Sequence, residues 1–494
     1  MTDAPVVHLA QGAARGVWRD ASAAFLGIPF AEPPVGEHRF AAPVPAARWE
    51  GVRECTEYGA TAQVRPPAEV TAIPELSIPG DSILNVNVFT PAPGRADAGL
   101  PVFVWIHGGG YKAGSPASPW YDGFAFNRDG IVTVTISYRL GFDGFGWIPD
   151  APHNRGLLDQ IAALQWVRDN IATFGGDAGN VTIGGQSAGG GSVWALLLSP
   201  LARGLFHAAI SHSGSLSPQP AEVARASGAA MARLAGVEWT RAGLAALTNT
   251  QLLDLTDQLE ASPPPTSLAD AVAGIVGGGG IGLAFTPYVD GAVLTGSVAD
   301  ALRDGVGADV PLLMGATAHE FTSAGPMFAP LLAAGTVADA LAGTALAPVA
   351  EEYLAEYADL PGGEASVVGQ LMTDTMYRMP MVRWAGLRGD APTWLYDFCW
   401  LHAGTGLAGH CADLPFAWDN LGAERVAQSC GPDAPQALAD AMHGAWVEFI
   451  RTHRAPWPTW AEGKVAMVYD AESTVRPAYA LEQRLVDALD TTRA

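Results

Sequence analysis

Residues 181–191 read Val181-Thr182-Ile183-Gly184-Gly185-Gln186-Ser187-Ala188-Gly189-Gly190-Gly191. A β-prone apolar run ends here at a serine among glycines, and a helical pattern of small and then apolar residues follows. Strand, sharp turn and helix form the context in which Gly-x-Ser-x-Gly presents a nucleophilic serine above a sheet. We expect Ser187 at positive φ, and its neighbours must be small because larger side chains would collide at the bend. The pentapeptide alone would also fit an ordinary glycine-rich turn.

The composition predicts a large globular protein. Of the 494 residues, 49% are hydrophobic and only 16% are charged, which excludes a disordered chain. The net charge of −23 argues against nucleic acid or an anionic membrane surface as a partner. We find neither a signal-peptide pattern nor an apolar run long enough to span a membrane. The four cysteines lack metal-ligand or tight disulfide spacing, so we expect free thiols, no metal and a cytoplasmic location.

The apolar periodicity predicts an α/β fold. Residues 101–107 and 131–137 are nearly continuous β-prone runs, typical of strands buried on both faces. Residues 83–90 alternate apolar residues with Asn and predict a half-exposed strand, while 154–174 carry a helical stripe. Further strands are expected at 5–9, 14–18, 24–28, 180–186, 207–211, 285–289, 311–317 and 393–398, and further helices near 438–451 and 482–489. The alternation of strands and helices indicates a mainly parallel sheet with helices on both faces.

The organisation predicted from these patterns is one domain over residues 1–494. Helical excursions at 216–280 and 330–388 are expected to wall a pocket at one end of the sheet. Residues 61–82, which contain several prolines, are expected to form a loop without regular structure. The run 277–280 consists of four glycines and is expected to form a flexible surface break.

Backbone donors for an oxyanion are predicted directly after the strand at 101–107. The chain there reads His107-Gly108-Gly109-Gly110, and glycines let N–H groups approach a substrate oxygen without side chains in the way. Gly109 and Gly110 are the natural donors, with the N–H of Ala188 as the third. His107 is better suited to hold this loop by bonding to backbone than to act as a base.

An acid and a base should follow the serine in that order along the chain. Glu320 lies three residues beyond the strand at 311–317 and is the favoured acid. Asp290 is its rival, although Asp-Gly more often marks a tight turn, and Asp397 lies within a later strand. His410 is the favoured base, because the segment Asp413-Leu414-Pro415-Phe416 should fix its loop against the core. His402 shares that loop and remains the alternative.

Together these motifs resemble the type-B carboxylesterase and lipase family, which has the α/β-hydrolase fold. The resemblance extends over nearly the whole chain. The matching stretches are residues 27–36 with Arg39-Phe40, 87–91, 107–110, 154–160, 174–177, the serine turn, 204–206 with Ser213-Gly214, 289–291, 315–320, and His410 with 413–416. The resemblance implies Ser187 as nucleophile, Glu320 as acid and His410 as base. It also implies that the Ser213 hydroxyl lies near these three residues.

Three departures from the family pattern bear on the substrate or on the cellular compartment. The residue before the nucleophile is usually Glu, but here Gln186 removes a negative charge that would attract cationic substrates. The cysteine of the N-terminal disulfide is missing from Asp81-Ser82-Ile83-Leu84, in agreement with a reducing compartment. Residues 61–82 contain no tryptophan, whereas cholinesterases carry a choline-stacking Trp there, so cation–π recognition of choline is not expected.

The predicted activity is cleavage of carboxylic esters through an acyl-enzyme, with a small-molecule ester as partner and no cofactor. The favoured substrates are uncharged aryl or short- to medium-chain esters, and the chain is expected to be a monomer or a small homo-oligomer. Candidate pocket residues are Tyr111, Phe321 and Phe328. Two alternatives remain open: amide, carbamate or acyl-transfer chemistry with the same triad, and a non-catalytic adhesion or scaffold role. Relatives with the latter role typically lack a triad residue.

Overall fold

The strands form one large sheet and one small one. The computed structural model describes residues 3–64, 72–278 and 282–493. The strands in these ranges are β1 (Val6–His8), β2 (Ala13–Arg15), β3 (Val17–Arg19), β4 (Ser22–Pro29), β5 (Val52–Glu54), β6 (Asn85–Thr90), β7 (Leu100–Ile106), β8 (Val132–Ile136), β9 (Gly176–Gln186), β10 (Ala208–His212), β11 (Leu312–Thr317), β12 (Thr393–Phe398), β13 (Val465–Tyr469) and β14 (Thr474–Pro477).

The large sheet has eleven strands within the described ranges, in the order β14-β13-β12-β11-β10-β9-β7-β8-β6-β4-β3. The run from β13 to β8 is parallel throughout, and the strands outside it pair antiparallel. The small sheet joins β1, β2 and β5. The predicted mainly parallel sheet is therefore confirmed.

Helices connect the strands and continue into two long excursions. The α-helices of the described ranges are α1 (Phe124–Arg128), α2 (Gly141–Phe145), α3 (Arg155–Asn170), α4 (Ala188–Leu198), α5 (Ala221–Ala235), α6 (Arg241–Ala245), α7 (Asn249–Glu260), α8 (Leu268–Val276), α9 (Val298–Arg303), α10 (Val337–Ala342), α11 (Ala350–Glu356), α12 (Glu364–Thr373), α13 (Met379–Leu387), α14 (Leu414–Ala417), α15 (Val426–Cys430), α16 (Gln436–Thr452), α17 (Trp460–Gly463) and α18 (Ala480–Arg493). A long 3₁₀ segment spans Thr322–Ala334, and a single π-helical turn spans Asp374–Arg378. None of the described helices is long and apolar enough to cross a membrane.

Both faces of the large sheet are covered, as the alternation along β7 shows. Val102, Val104 and Ile106 pack into a hydrophobic cluster that includes side chains of α3 and α4. Phe103 and Trp105 pack into a second cluster, which includes side chains of α16. A strand buried on both faces needs apolar residues at every position, which accounts for the continuous apolar run at 101–107.

The prediction of a half-exposed strand at 83–90 was wrong, because β6 is buried at all six of its positions. The asparagines that suggested exposure are hydrogen-bonded inside the protein. Asn85 Nδ2 donates to the carbonyl of Ala60 (2.8 Å), and Asn87 Nδ2 donates to Thr135 Oγ1 (2.9 Å). Buried polar groups persist when they are satisfied in this way, and such an amide looks like a solvent-facing residue in the sequence.

The prediction of a strand at 285–289 was also wrong, since only an isolated β-bridge joins Tyr288 to Gln219. The backbone of Tyr288 is satisfied by a side chain instead of a strand. Its N–H donates to Asn154 Oδ1 (3.1 Å), and its carbonyl accepts from Asn154 Nδ2 (2.8 Å). No helix or strand forms in 61–64 or 72–82, as expected for the loop, whereas its residues 65–71 and the glycines at 279 and 280 lie outside the described ranges.

Candidate active site

Ser187 lies on a sharp turn between β9 and α4. Its backbone has φ 56° and ψ −121°, a conformation that side-chain-bearing residues rarely adopt, and its N–H donates to the carbonyl of His212 (2.9 Å). A side chain on Gly189 would begin 2.0 Å from the carbonyl oxygen of Ile106, so this position must be glycine. The predicted positive φ is therefore found, and the turn sets the serine at the carboxyl end of a central strand.

The glycine loop after β7 lies against this turn. Gly109 has φ 108°, and a side chain on Gly108 would begin 3.2 Å from Ser187 Cβ. Within the described part of the chain, the N–H groups of Gly109 and Gly110 have no hydrogen-bond acceptor. Ala188 is the first residue of α4, where an N–H has no partner inside the helix. Three backbone donors are thus available beside the serine.

His107 holds the glycine loop as a neutral ring. Its Nδ1 lies 2.8 Å from the carbonyl of Gly108, and its ring stacks on Tyr138 with centroids 4.6 Å apart. Burial lowers the pKa of His107 to about 4, against a smaller opposing effect of the Gly108 carbonyl. At neutral pH the ring is therefore an uncharged structural element.

Glu320 and His410 form a buried hydrogen-bonded pair at the same end of the sheet. Glu320 follows β11 and His410 follows the neighbouring strand β12; the His410 Nδ1 contacts Glu320 Oε2 directly. The other carboxylate oxygen accepts from the N–H of Thr317 (2.7 Å), and the His410 N–H donates to the carbonyl of Glu320 (3.2 Å). Because several bonds fix this geometry, the imidazole is held with Nδ1 toward the acid and Nε2 away from it.

Gln186 fixes the other side of the imidazole. Its Nε2 lies 3.1 Å from His410 Nε2, and an amide nitrogen can only donate. In the neutral ring, His410 Nε2 is therefore the acceptor, and the proton lies on Nδ1, where it faces Glu320. Burial opposes the charged ring, yet Cys411, Tyr377 and Glu320 raise the pKa of His410 above its ordinary range.

Two aromatic rings enclose the imidazole. The rings of Phe321 and Tyr377 each lie 5.2 Å from that of His410, and they stack on one another at 5.8 Å with an interplanar angle of 4°. Phe321 was predicted to line the pocket. Tyr377 was missed, because it lies on the π-helical turn between α12 and α13 and no sequence motif marks such a turn. The neighbouring helical periodicity only predicted a helix over this segment.

The remaining predicted residues lie in different surroundings. Tyr111 packs edge-on against Phe145 with centroids 5.1 Å apart. Ser213 is buried at the end of β10, and its Oγ finds no hydrogen-bond partner among the described residues. Phe328 is buried in a separate hydrophobic cluster with side chains of α8, α10 and α12, so the structure does not bring it to His410.

The rivals of Glu320 and His410 are held elsewhere. Asp290 Oδ1 accepts from the N–H groups of a turn at 292–294, and Asp397 pairs with Arg378 at 2.8 Å. The His402 ring accepts from backbone within its own exposed loop. The structure therefore brings only Glu320 of the candidate acids into contact with His410.

A second buried histidine–carboxylate pair lies next to the first. His212 Nδ1 donates to Asp413 Oδ2 (2.8 Å), and His212 Nε2 accepts from the indole of Trp446 (2.9 Å). The Tyr396 hydroxyl also donates to Asp413 Oδ2 (2.7 Å). Burial alone would raise the pKa of Asp413, but the hydrogen bonds from His212 and Tyr396 lower it. Both nitrogens of His212 are thus occupied by protein groups.

No metal site is indicated in the described ranges, where no group of three His, Cys, Asp or Glu side chains could hold an ion. The four cysteines are free thiols, and all but Cys399 are buried. A cavity of about 520 Å³ adjoins the glycine loop; its lining includes Lys112 and Ala113, Phe142, and Leu252 and Thr256 of α7. Ser187 and His410 are not among its lining residues.

The mainly parallel sheet and the sharp strand-to-helix turn at Ser187 define an α/β-hydrolase fold. A model of the carboxylesterase family matches residues 3–467. The chain is 33% identical to the para-nitrobenzyl esterase of Bacillus subtilis (strain 168), over 97% of each chain, and 31% identical to the fumonisin B1 esterase of Sphingopyxis macrogoltabida, over 95% of this chain and 88% of that one. A carboxylesterase structure from Geobacillus stearothermophilus superimposes with a TM-score of 0.81 at 33% identity, covering 97% of this chain and 99% of the other. The chain belongs to the carboxylesterase family and is a carboxylic ester hydrolase.

Proposed function

We propose that Ser187 is the nucleophile of this esterase, His410 its general base and Glu320 the orienting acid. The observation that carries this assignment is the Glu320–His410 contact at the strand ends beside the strained serine. His410 Nε2 takes the proton from Ser187 Oγ as the oxygen attacks the ester carbonyl. The glutamate holds the ring tautomer and stabilises the imidazolium that forms. Water then repeats the sequence on the acyl-enzyme.

The oxyanion of each tetrahedral intermediate binds to the N–H groups of Gly109, Gly110 and Ala188. These donors are supported by their positions around Ser187 and by their lack of acceptors among the described residues. Preorganised donors of this kind stabilise charge that develops only in the transition state. Loss of one such donor costs about 2.7–4 kcal/mol in comparable enzymes.

The proposed substrates are uncharged aryl or short- to medium-chain esters. Gln186 contributes a neutral amide beside the serine, and Leu283 Cδ1 lies 3.4 Å from where a side chain on Gly110 would begin. An apolar group therefore borders the space in front of an oxyanion donor. The name of the para-nitrobenzyl esterase supports an aryl or benzyl ester, and that relative covers nearly the whole chain.

Both helical excursions contribute to the proposed pocket of this single domain. The 216–280 excursion supplies Leu252 and Thr256 to the cavity beside the glycine loop, and the 330–388 excursion supplies Tyr377 to the space around His410. We further propose a cytoplasmic enzyme, a monomer or small homo-oligomer without nucleic-acid or membrane partners. The four free thiols support a reducing compartment.

The assignment is tested by Ser187→Ala, assayed with p-nitrophenyl butanoate after purification. We expect turnover to fall by about 10⁴-fold or more, since removal of a triad nucleophile leaves only binding and oxyanion contributions. A fluorophosphonate probe should label the wild-type protein at Ser187 and leave the variant unlabelled. Wild-type turnover in the variant would reject the assignment, and an unlabelled wild-type protein would favour a non-catalytic role.

A further inference from the structure

The π-helical turn Asp374–Arg378 is fastened at both ends by buried polar contacts. Asp374 accepts from the hydroxyl of Tyr353 (2.8 Å) and from the amide of Gln370 (3.2 Å). Arg378 donates to Asp397 (2.8 Å) and to Glu482 (2.6 Å), the latter on α18. A π-turn is an uncommon conformation that occurs frequently at functional sites. The residue that this turn presents is Tyr377.

The side chain of Tyr377 is directed at the reacting groups. It is 5% exposed, its ring packs against those of Phe321 and His410 with centroids 5.8 and 5.2 Å away, and its hydroxyl interacts with the hydroxyl of Ser187. The three backbone donors lie on a different segment, at the glycine loop and the start of α4. The phenol is therefore beside the nucleophile and the base, and it is distinct from the oxyanion donors.

We propose that Tyr377 is a further catalytic residue, whose hydroxyl donates a hydrogen bond to the alcohol oxygen of the ester as that oxygen leaves. The inference rests on the proposed function. In the tetrahedral intermediate the alcohol oxygen is bonded to the carbon that Ser187 Oγ has attacked, so a hydroxyl beside Oγ and the imidazole is within reach of it. Burial raises the pKa of Tyr377, opposed by His410 and by the bond with Ser187, which supports a protonated donor at neutral pH.

The step balances without a further reactant. The bond between the acyl carbon and the alcohol oxygen breaks as the oxyanion re-forms the carbonyl, and the alcohol oxygen keeps the bonding electron pair. His410 Nε2 transfers to that oxygen the proton it took from Ser187. Tyr377 keeps its own proton and only stabilises the negative charge developing on the oxygen. Its contribution is therefore greatest when the leaving alcohol is a poor leaving group.

The test is Tyr377→Phe, assayed with ethyl butanoate and p-nitrophenyl butanoate, which give the same acyl-enzyme. Because kcat/KM reports acylation, we expect about a 30-fold loss with the ethyl ester and less than about 3-fold with the nitrophenyl ester. Tyr469→Phe is the matched control, because the Tyr469 hydroxyl is buried without a partner among the described residues. That variant should keep both rates. Equal losses with both esters, or no loss, would overturn the proposal.

A second measurement tests the proposal even if the Tyr377→Phe variant folds poorly. Replacing Tyr377 by 3-fluorotyrosine keeps the ring and hydroxyl but makes the phenol more acidic. The alkaline limb of kcat/KM should then move to lower pH with the ethyl ester and stay in place with the nitrophenyl ester; an unmoved ethyl-ester limb would overturn the inference. If the wild-type protein cleaves neither ester and is not labelled by the fluorophosphonate, the proposed function fails. If the wild-type protein is active and Tyr377→Phe cleaves both esters at the wild-type rate, only the role of Tyr377 is rejected.

Discussion

Two buried histidine–carboxylate pairs stand side by side in this protein, and they differ in what occupies the second ring nitrogen. In the His410–Glu320 pair, Nε2 is approached by the side-chain amide of Gln186 at 3.1 Å. In the His212–Asp413 pair, Nε2 accepts from the rigid indole of Trp446 at 2.9 Å. The two pairs are connected, because the carbonyl of His212 accepts from the N–H of Ser187 and Asp413 follows His410 by three residues.

Under the proposed function, this difference separates a reactive pair from a structural one. The His212 and Asp413 side chains are both 0% exposed, so no substrate can reach this imidazole. His410 is 7% exposed and packs against the rings of Phe321 and Tyr377, and under the proposed function its Nε2 exchanges the Gln186 amide for the hydroxyl of Ser187. A histidine–carboxylate contact therefore indicates a base only where the remaining nitrogen is free to exchange its partner.

Among changes to the two pairs, the comparison predicts the largest loss of activity for His410→Gln. The amide of the new side chain can still donate to Glu320, but it cannot take the proton of Ser187, so kcat should fall by about 10³-fold or more. The measurement is turnover of p-nitrophenyl butanoate, with thermal unfolding as the control for folding. A kcat within tenfold of wild type in the folded variant would show that His410 is not the base.

Disrupting the His212–Asp413 pair should lower the free energy of unfolding. His212→Leu leaves the buried Asp413 carboxylate without its imidazole donor, and leaving a buried group unsatisfied in this way costs about 1–3 kcal/mol, or more when the group is charged. Denaturant unfolding should show this loss, while activity per folded molecule stays within about tenfold of wild type. An unchanged free energy of unfolding together with abolished activity would reverse the roles of the two pairs.

The smallest expected effect concerns pH. The base works only when unprotonated, so kcat/KM should rise with pH through the raised pKa of His410, which lies above the ordinary histidine value of about 6.5. Gln186→Glu places a carboxylate beside Nε2, which favours the protonated ring and should move this limb upward by about one pH unit. Gln186→Met, which carries no charge, is the matched control and should not reproduce that upward shift. A downward shift in Gln186→Glu would contradict this account of the amide.

Much of the site could be predicted because its chemistry is local in sequence. The serine turn and the glycine loop each directly follow a strand, so their residues signal both the conformation and the role. Glu320 was favoured because it follows a late strand, and His410 because the segment at 413–416 should fix its loop against the core. The two strands that precede them are parallel neighbours, so their carboxyl ends meet at one edge. The structure brings these two side chains into contact, while their assignment as acid and base stays a proposal.

The parts that escaped prediction depend on contacts distant in the chain. Tyr377 reaches His410 only because a π-turn shifts it relative to an α-helix, and that turn is stabilised by Asp397 and Glu482. The burial of Asn87 depends on Thr135, and the backbone of Tyr288 is satisfied by Asn154. The periodicity of the sequence does not indicate such partners. The asparagines of β6 were therefore predicted to be exposed, and the loop at 285–289 was predicted to be a strand.

The antiparallel hairpin β13–β14 has a consequence for self-association. It ends the parallel run, and β14 is a short strand of four exposed residues that carries Arg476 and finishes at Pro477. A charged residue and a proline on a short outer strand discourage pairing with another chain. Copies of this protein that meet at this edge should therefore not extend the sheet across the contact, and any assembly there must be built from side chains.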